Sequence, residues 1–146
     1  MHFARALETG NVLWQLTDAR FCDLTIALGT LAPKSVFDAV CDEDLHANLL
    51  WLPLREDYCL PASTALACPL PAPNRILAIG RNYADHAKET NATPPAEPVI
   101  FMKATSAICG PFDEVVIPKN SEKTDWEVEL AVIIGKKASY VSEADA

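Results

Sequence analysis

The chain has 146 residues, half of them apolar, and a net charge of −8. This length suits one modest domain or two small lobes, and a real hydrophobic core is possible. The acidic balance argues against nucleic-acid binding, which needs clustered Lys and Arg, and no apolar run is long enough to span a membrane.

The five cysteines are scattered, odd in number and never arranged as C-x-x-C. This pattern favours reduced thiols in a cytoplasmic protein over a disulfide or zinc framework.

The first elements are predicted to be short strands. Strand-like runs at 3–7 and 12–16 flank Gly10 and Asn11, which suit a tight turn and predict a hairpin. The run FCDLTIAL at 21–28 predicts a further strand.

A helix and then a linker follow. Ser35, with Asp38 three residues later, predicts a helix start, and apolar residues to Leu45 continue the pattern. Four prolines in residues 60–73 exclude a helix or a central strand and predict an extended linker. A lobe boundary is therefore expected near residue 70, between residues 1–69 and 70–146.

The second half is predicted to be mainly β. The predicted strands are ILAIG (76–80), VIFMK (99–103), VVI (115–117) and WEVELAVII (126–134). A helix over 82–89, capped by Asn82, is expected after the first strand, and a loop at 91–98 follows the helix. Ser142 and the acids after it predict a helix start just before Ala146, so the sequence is expected to be a fragment cut within a domain.

Glu127 and Glu129 are the first candidate site residues. Side chains at i and i+2 share one face of a strand. Two close carboxylates repel each other unless one is protonated or a cation bridges them. Oxygen ligands suit Mg²⁺, Mn²⁺ or Ca²⁺. The alternative is an amphipathic strand with a solvated face, because E-x-E alone is common.

His86 and Glu89 are a second candidate pair. Their spacing of three places them on one face of the predicted helix. A carboxylate beside an imidazole orients the ring and raises its basicity, as a general base requires. An ordinary exposed pair on a surface helix is the alternative. Arg81 and Lys103 could bind a substrate carboxylate, or they could be surface charges.

Three blocks resemble the fumarylacetoacetate hydrolase family in their order and spacing: ILAIGRNYADHAKE, EPVIFMKATSAICGP and VVIPKNSEKTDWEVELAVIIGKKASYVSEADA. The resemblance covers residues 70–146, and residues 1–69 match a variable N-terminal lobe only weakly. The second and third blocks look most like bacterial members that act on 2,4-diketo-3-deoxy sugar acids, or that are called 2-hydroxyhepta-2,4-diene-1,7-dioate isomerases.

The resemblance implies a β-rich α+β fold, with a small N-terminal β lobe and the first part of a mixed β-sandwich roll. It also implies a Mg²⁺ ion held by Glu127, Glu129 and a third carboxylate that is not among these 146 residues. His86 and Glu89 would form a water-activating dyad on a lid. Arg81, Tyr83 and Lys103 match positions that line the same pocket.

The implied reaction is metal-dependent hydrolysis of a C–C bond in a 2,4-dioxo acid, in which the metal stabilises a pyruvate enolate. An isomerase or a decarboxylase on the same scaffold is an alternative, and so is an inactive chain that lacks the third ligand. A small-molecule 2-oxo acid is the expected partner, and the full-length protein is expected to be a homodimer.

Overall fold

The computed structural model describes residues 1–93 and 95–146, so position 94 of the predicted loop lies outside the described residues. The strands are β1 (Phe3–Ala6), β2 (Val12–Gln15), β3 (Phe21–Asp23), β4 (Cys59–Leu60), β5 (Leu66–Ala67), β6 (Ile76–Gly80) and β7 (Val99–Lys103). The helices are α1 (Leu24–Leu28), α2 (Val36–Cys41), α3 (Glu43–Leu49) and α4 (Ala84–Glu89). The fold is strand-rich α+β, as predicted.

The first lobe is an antiparallel sheet in the order β4-β3-β2-β1-β5. The predicted hairpin of β1 and β2 is confirmed, and Gly10 takes the positive φ of 74° that its turn needs. Helices α1 and α2 contact β2. The main core lies between sheet and helices, and its largest fully buried side chains are Cys22, Leu24 and Leu49, whereas Leu13 is buried in a second, smaller cluster with Ala6 and Phe21.

The predicted strand at 21–28 is wrong in its second half, because the chain turns into α1 after Asp23. The Asp23 carboxylate accepts hydrogen bonds from the backbone N–H groups of Thr25 (2.9 Å) and Ile26 (3.2 Å). These donors belong to the first turn of α1 and have no partner within the helix. The side-chain cap therefore ends the strand although the run is apolar.

The predicted helix start at Ser35 is confirmed, since the Ser35 hydroxyl accepts from the Asp38 N–H at 3.0 Å. The helix does not continue to Leu45 without a break. Asp42 ends α2 and caps α3, accepting from the Leu45 N–H at 2.8 Å. Two short helices thus replace one.

The proline-rich linker prediction is partly wrong. Within it, Leu60 belongs to β4 and Leu66–Ala67 form β5, which pair with β3 and β1 respectively. Both are edge strands. Edge positions tolerate the nearby prolines because a missing N–H on the outer side breaks no ladder hydrogen bond.

The second half contains a two-stranded antiparallel sheet of β6 and β7, as predicted for both strands. Helix α4 follows β6 but begins two residues later than expected. Its N-cap is Tyr83, without a side-chain hydrogen bond, so the predicted Asn82 cap is wrong. Ala87 is the buried residue of α4.

The predicted strands at 115–117 and 126–134 are not formed. The described residues from 104 to 146 contain 3₁₀ turns at Thr105–Ala107 and Glu143–Asp145 but no strand. A strand requires a hydrogen-bonded neighbour, and none lies beside these segments in the described part of the chain. Ser142 precedes a single 3₁₀ turn rather than an α-helix.

No helix among the described residues is both long and apolar enough to cross a membrane.

Candidate functional site

An open cleft of about 260 Å³ lies between α4 and the segment that carries the two paired acids. Its lining residues are Tyr83, His86, Glu89, Asp125, Trp126, Glu127, Val128 and Glu129. Five of the seven residues predicted as a site from the sequence therefore meet at one place, although the two groups are about 40 positions apart in the chain.

One wall of the cleft comes from α4 and its N-cap. Tyr83, His86 and Glu89 are spaced three residues apart, so they form one stripe along the helix. Ala87 is fully buried and anchors the helix. The last turn is closed by Thr90, whose hydroxyl donates to the His86 carbonyl at 3.1 Å. The stripe is thus held by local helix geometry.

The opposite wall is the segment 125–129, and one polar contact ties it to α4. The Leu130 N–H donates to the Tyr83 hydroxyl oxygen at 3.0 Å. The Tyr83 oxygen acts as acceptor there, so its hydroxyl proton is free to donate to a ligand in the cleft. Both walls are solvent-exposed.

The His86–Glu89 pair lies in the cleft, but no hydrogen bond joins the two side chains in the part of the chain that the structure describes. Both are exposed. The spacing therefore brings the imidazole and the carboxylate to one wall, and their contact as a dyad stays a prediction.

Glu127 and Glu129 offer the oxygen ligands that a hard divalent cation prefers. Asp125 adds a third carboxylate to the same cleft wall, and its alternation with the two glutamates in D-x-E-x-E is the signal that sequence reasoning missed. Its Oδ1 accepts from the Trp126 N–H at 2.8 Å. Residues 1–93 and 95–146 nevertheless contain no group of three or more His, Cys, Asp or Glu residues placed to hold a metal. The carboxylate oxygens are suitable ligands for a divalent cation, but these residues form only part of a metal site.

Arg81 and Lys103 do not line the cleft. Arg81 directly follows β6, with a positive φ of 54°, whereas Lys103 pairs with Ile76 at the other end of the β6–β7 sheet. Four residue steps along a strand separate these ends by about 13 Å. The Lys103 ammonium lies 5.5 Å from the centroid of the Phe101 ring. Their roles in substrate binding stay predictions.

Comparison with known proteins gives a family match for the part of the chain that carries these motifs. Residues 75–146 match the family described as fumarylacetoacetate (FAA) hydrolase C-terminal. The second half of the chain, residues 75–146, belongs to the fumarylacetoacetate hydrolase family. The family resemblance inferred from the sequence is thereby confirmed.

Two curated relatives illustrate the range of activities in the family. The human mitochondrial oxaloacetate tautomerase FAHD2A is 49% identical over 88 residues, which cover 60% of this chain and 28% of the relative. The 2,4-didehydro-3-deoxy-L-rhamnonate hydrolase of Sphingomonas sp. (strain SKA58) is 55% identical over 78 residues, which cover 53% of this chain and 27% of the relative. The chain thus spans less than a third of the length of these relatives.

A solved structure has a similar fold. The putative HpcE protein from Mycobacterium smegmatis superimposes with a TM-score of 0.58 at 28% sequence identity, over 81% of this chain and 41% of that one. This similarity extends beyond the family match, because 81% of the chain includes part of the first lobe.

Proposed function

We propose that the cleft is part of the active site of a metal-dependent hydrolase that cleaves a C–C bond in a 2,4-dioxo acid, such as an acylpyruvate or a 2,4-diketo-3-deoxy sugar acid. The observation that carries the proposal is the convergence of Tyr83, His86, Glu89, Glu127 and Glu129 on one open cleft. The relative named as a sugar-acid hydrolase supports the substrate class.

His86 is the proposed general base. Its ring is exposed at the cleft wall, where it can take a proton from a water molecule. Glu89, one helical turn away, would orient the ring. The hydroxide formed would add to the distal carbonyl carbon, and the adjacent C–C bond would break with its electron pair moving to the pyruvate part. Protonation of that part gives pyruvate and a carboxylic acid.

Glu127 and Glu129 are proposed to supply two oxygen ligands to Mg²⁺, with Mn²⁺ or Ca²⁺ as substitutes. When bound, the cation would act as a Lewis acid on the oxygens of the 2-oxo acid. The Tyr83 hydroxyl would donate a hydrogen bond to the substrate carboxylate. Because Asp125, Glu127 and Glu129 are not placed together as a group of three metal ligands in the described residues, we expect the 146-residue chain alone to bind Mg²⁺ weakly and to turn over little.

A tautomerase is the second candidate. The 49% identity to an oxaloacetate tautomerase supports it, and moving a proton between carbon and oxygen of a 2-oxo acid uses the same base and the same oxygen ligands. The products separate the two reactions: hydrolysis releases pyruvate, whereas tautomerisation interconverts enol and keto forms without pyruvate release.

Metal binding by the purified chain tests the ligand assignment without requiring turnover. We expect Mn²⁺, followed by electron paramagnetic resonance, to bind at one site with a roughly millimolar Kd. An acylpyruvate should tighten this binding by supplying further oxygens. Glu127→Gln should weaken binding about tenfold, while the matched change Glu143→Gln, outside the cleft, should leave it unaltered. Equal binding by Glu127→Gln and the unmodified chain would overturn the assignment.

Nuclear magnetic resonance of the histidine rings tests whether His86 belongs to the site as the proposed general base. With Mg²⁺ present, added acylpyruvate should shift the ring signals of His86. Those of His46 should stay in place, because its ring lies 2.7 Å from the Ala39 carbonyl in the first lobe and stacks on Phe3. Unchanged His86 signals at saturating Mg²⁺ and acylpyruvate would exclude it from the site.

A cytoplasmic location is proposed from the scattered, reduced cysteines, and a full-length homodimer is proposed from the family resemblance.

A further inference from the structure

Cys22 and Cys59 occupy directly opposite positions on the antiparallel strands β3 and β4. Opposite residues of such a pair have Cα atoms about 4.5–5.5 Å apart. This separation lies within the range of about 4.4–6.8 Å that a disulfide spans. The register alone therefore brings the two sulfurs within bonding reach after side-chain rotation.

The two thiols also share one face of the sheet. Cys22 is fully buried in the core cluster between sheet and helices, and Cys59 packs against the same cluster while remaining partly accessible. Both are free thiols in the structure. Neither lines the cleft of the proposed active site, so the pair has no part in the proposed reaction.

We propose that Cys22 and Cys59 form a redox-sensitive pair that closes into a disulfide when a hydroperoxide oxidises Cys59. The Cys59 thiolate attacks the peroxide oxygen, which breaks the O–O bond and leaves a sulfenic acid and an alcohol or water. The Cys22 sulfur then attacks the Cys59 sulfur, forming the S–S bond and releasing water. A thiol reductant reverses the change.

The difference in environment assigns the order of the two steps. Cys59 lies on an edge strand and is accessible to oxidant. Burial, then the neighbouring Cys59, then Asp23, raise the pKa of the Cys22 thiol to about 11. Burial also shields Cys22 from peroxide in solution. Cys22 therefore reacts only with the sulfenic acid that forms opposite it, and its proton leaves with the departing hydroxide as water.

The disulfide would close a loop over residues 23–58, which contain α1, α2 and α3. It would also fix the short edge strand β4 to β3. A covalent link across a loop of this length restricts the unfolded chain and so stabilises the lobe. Oxidation is therefore expected to make the first lobe more resistant to heat.

Peptide mapping of the whole chain tests the pairing. After brief treatment with hydrogen peroxide and alkylation of the remaining thiols, digestion without reductant should yield a peptide containing Cys22 linked to one containing Cys59. Treatment in guanidinium should scatter the links among all five cysteines, since the register is then lost. Cys22 and Cys59 left unlinked, while the exposed Cys109 is oxidised, would overturn the proposal.

Two single variants provide the matched controls. Oxidation should raise the Tm of the unmodified chain on the order of 5–10 °C. Cys109→Ala should keep this rise, because Cys109 lies outside the sheet. Cys59→Ala should abolish it. A rise that survives in Cys59→Ala would show that a different modification stabilises the chain.

Discussion

Asp23 is the one charged residue among the buried polar positions of the described chain, at 2% exposure. Its carboxylate accepts from two backbone N–H groups of α1. It also accepts from the Asn11 side-chain amide at 2.9 and 3.2 Å. One side chain thus links the β1–β2 turn to the end of β3 and the start of α1. Burial of the charge is offset by these hydrogen bonds.

Replacing Asp23 with Ala should lower the free energy of unfolding by about 2–3 kcal/mol, because the α1 cap is lost and the Asn11 amide loses its acceptor. Asp23→Asn, which keeps an oxygen acceptor, should cost less. Urea unfolding followed by circular dichroism measures both. Equal stability of Asp23→Ala and the unmodified chain would contradict this role.

The raised pKa of Cys22 predicts that the stability of the reduced chain depends on pH. Its folded pKa is raised from the ordinary value of 9.0 to about 11, chiefly by burial. The folded state therefore holds this proton at pH values where the unfolded chain releases it. The stability that this provides is complete below pH 9 and is lost as the pH rises from 9 to 11.

Melting curves from pH 8 to 11 under reducing conditions measure this effect. Cys22→Ala should lose less stability across that interval than the unmodified chain does. Cys41→Ala, at an exposed thiol, should follow the unmodified chain. Parallel curves for all three proteins would refute the assignment.

At the scale of elements, features set by residues close in sequence could be predicted, whereas strand pairings between distant segments could not. Gly10 and Ser35 act on residues within four positions, so the hairpin turn and the α2 start could be inferred from sequence. The edge strands β4 and β5 depend on partners some 40 to 60 residues away. Nothing in the proline-rich run indicates those partners.

For the candidate site too, the spacing of neighbouring residues could be predicted from the sequence, whereas contacts between distant segments could not. The spacing of His86 and Glu89, and of Glu127 and Glu129, indicated two functional pairs, because neighbours in an element share a face. That the two pairs line one cleft depends on how 125–129 lies against α4. Arg81 and Lys103 flank the sheet at opposite ends because of the β6–β7 register, which sequence spacing does not specify.

The hydrogen bond between Tyr83 and Leu130 predicts a local effect. Tyr83→Phe removes the acceptor for the Leu130 N–H and should loosen the segment that carries the two glutamates. We expect faster hydrogen exchange at the Leu130 amide, by several-fold, and little change at Leu13 in the first lobe. Unaltered exchange at Leu130 would mean that this bond does not hold the segment.

Over the whole molecule, apolar side chains are distributed unevenly. The first lobe buries its core, whereas the segment 126–134 exposes most of its apolar residues, among them Trp126 and Val128 at 84% each. Large exposed apolar surfaces favour association, and no described strand pairs with this segment to cover its backbone. The second half of the chain is therefore the expected contact surface.

We expect the purified chain to associate as its concentration rises, and Val128→Lys to reduce this association. Leu31→Lys, at a residue of the first lobe that is 82% exposed, is the matched control and should have little effect. Light scattering coupled to size-exclusion chromatography measures both. A chain that stays monomeric over the full range would contradict the expectation.

The position of β5 in the first sheet has a consequence for folding kinetics. The second neighbour of β1 in the sheet is β5, which begins only at Leu66, about 60 residues after β1. The β1–β2–β3 meander can form from contacts close in sequence, whereas pairing of β5 with β1 must close a loop of about 60 residues. Closing long loops is slow relative to forming hairpins. Docking of β5 is therefore expected to be a late step, during which the outer edge of β1 stays open on the ribosome.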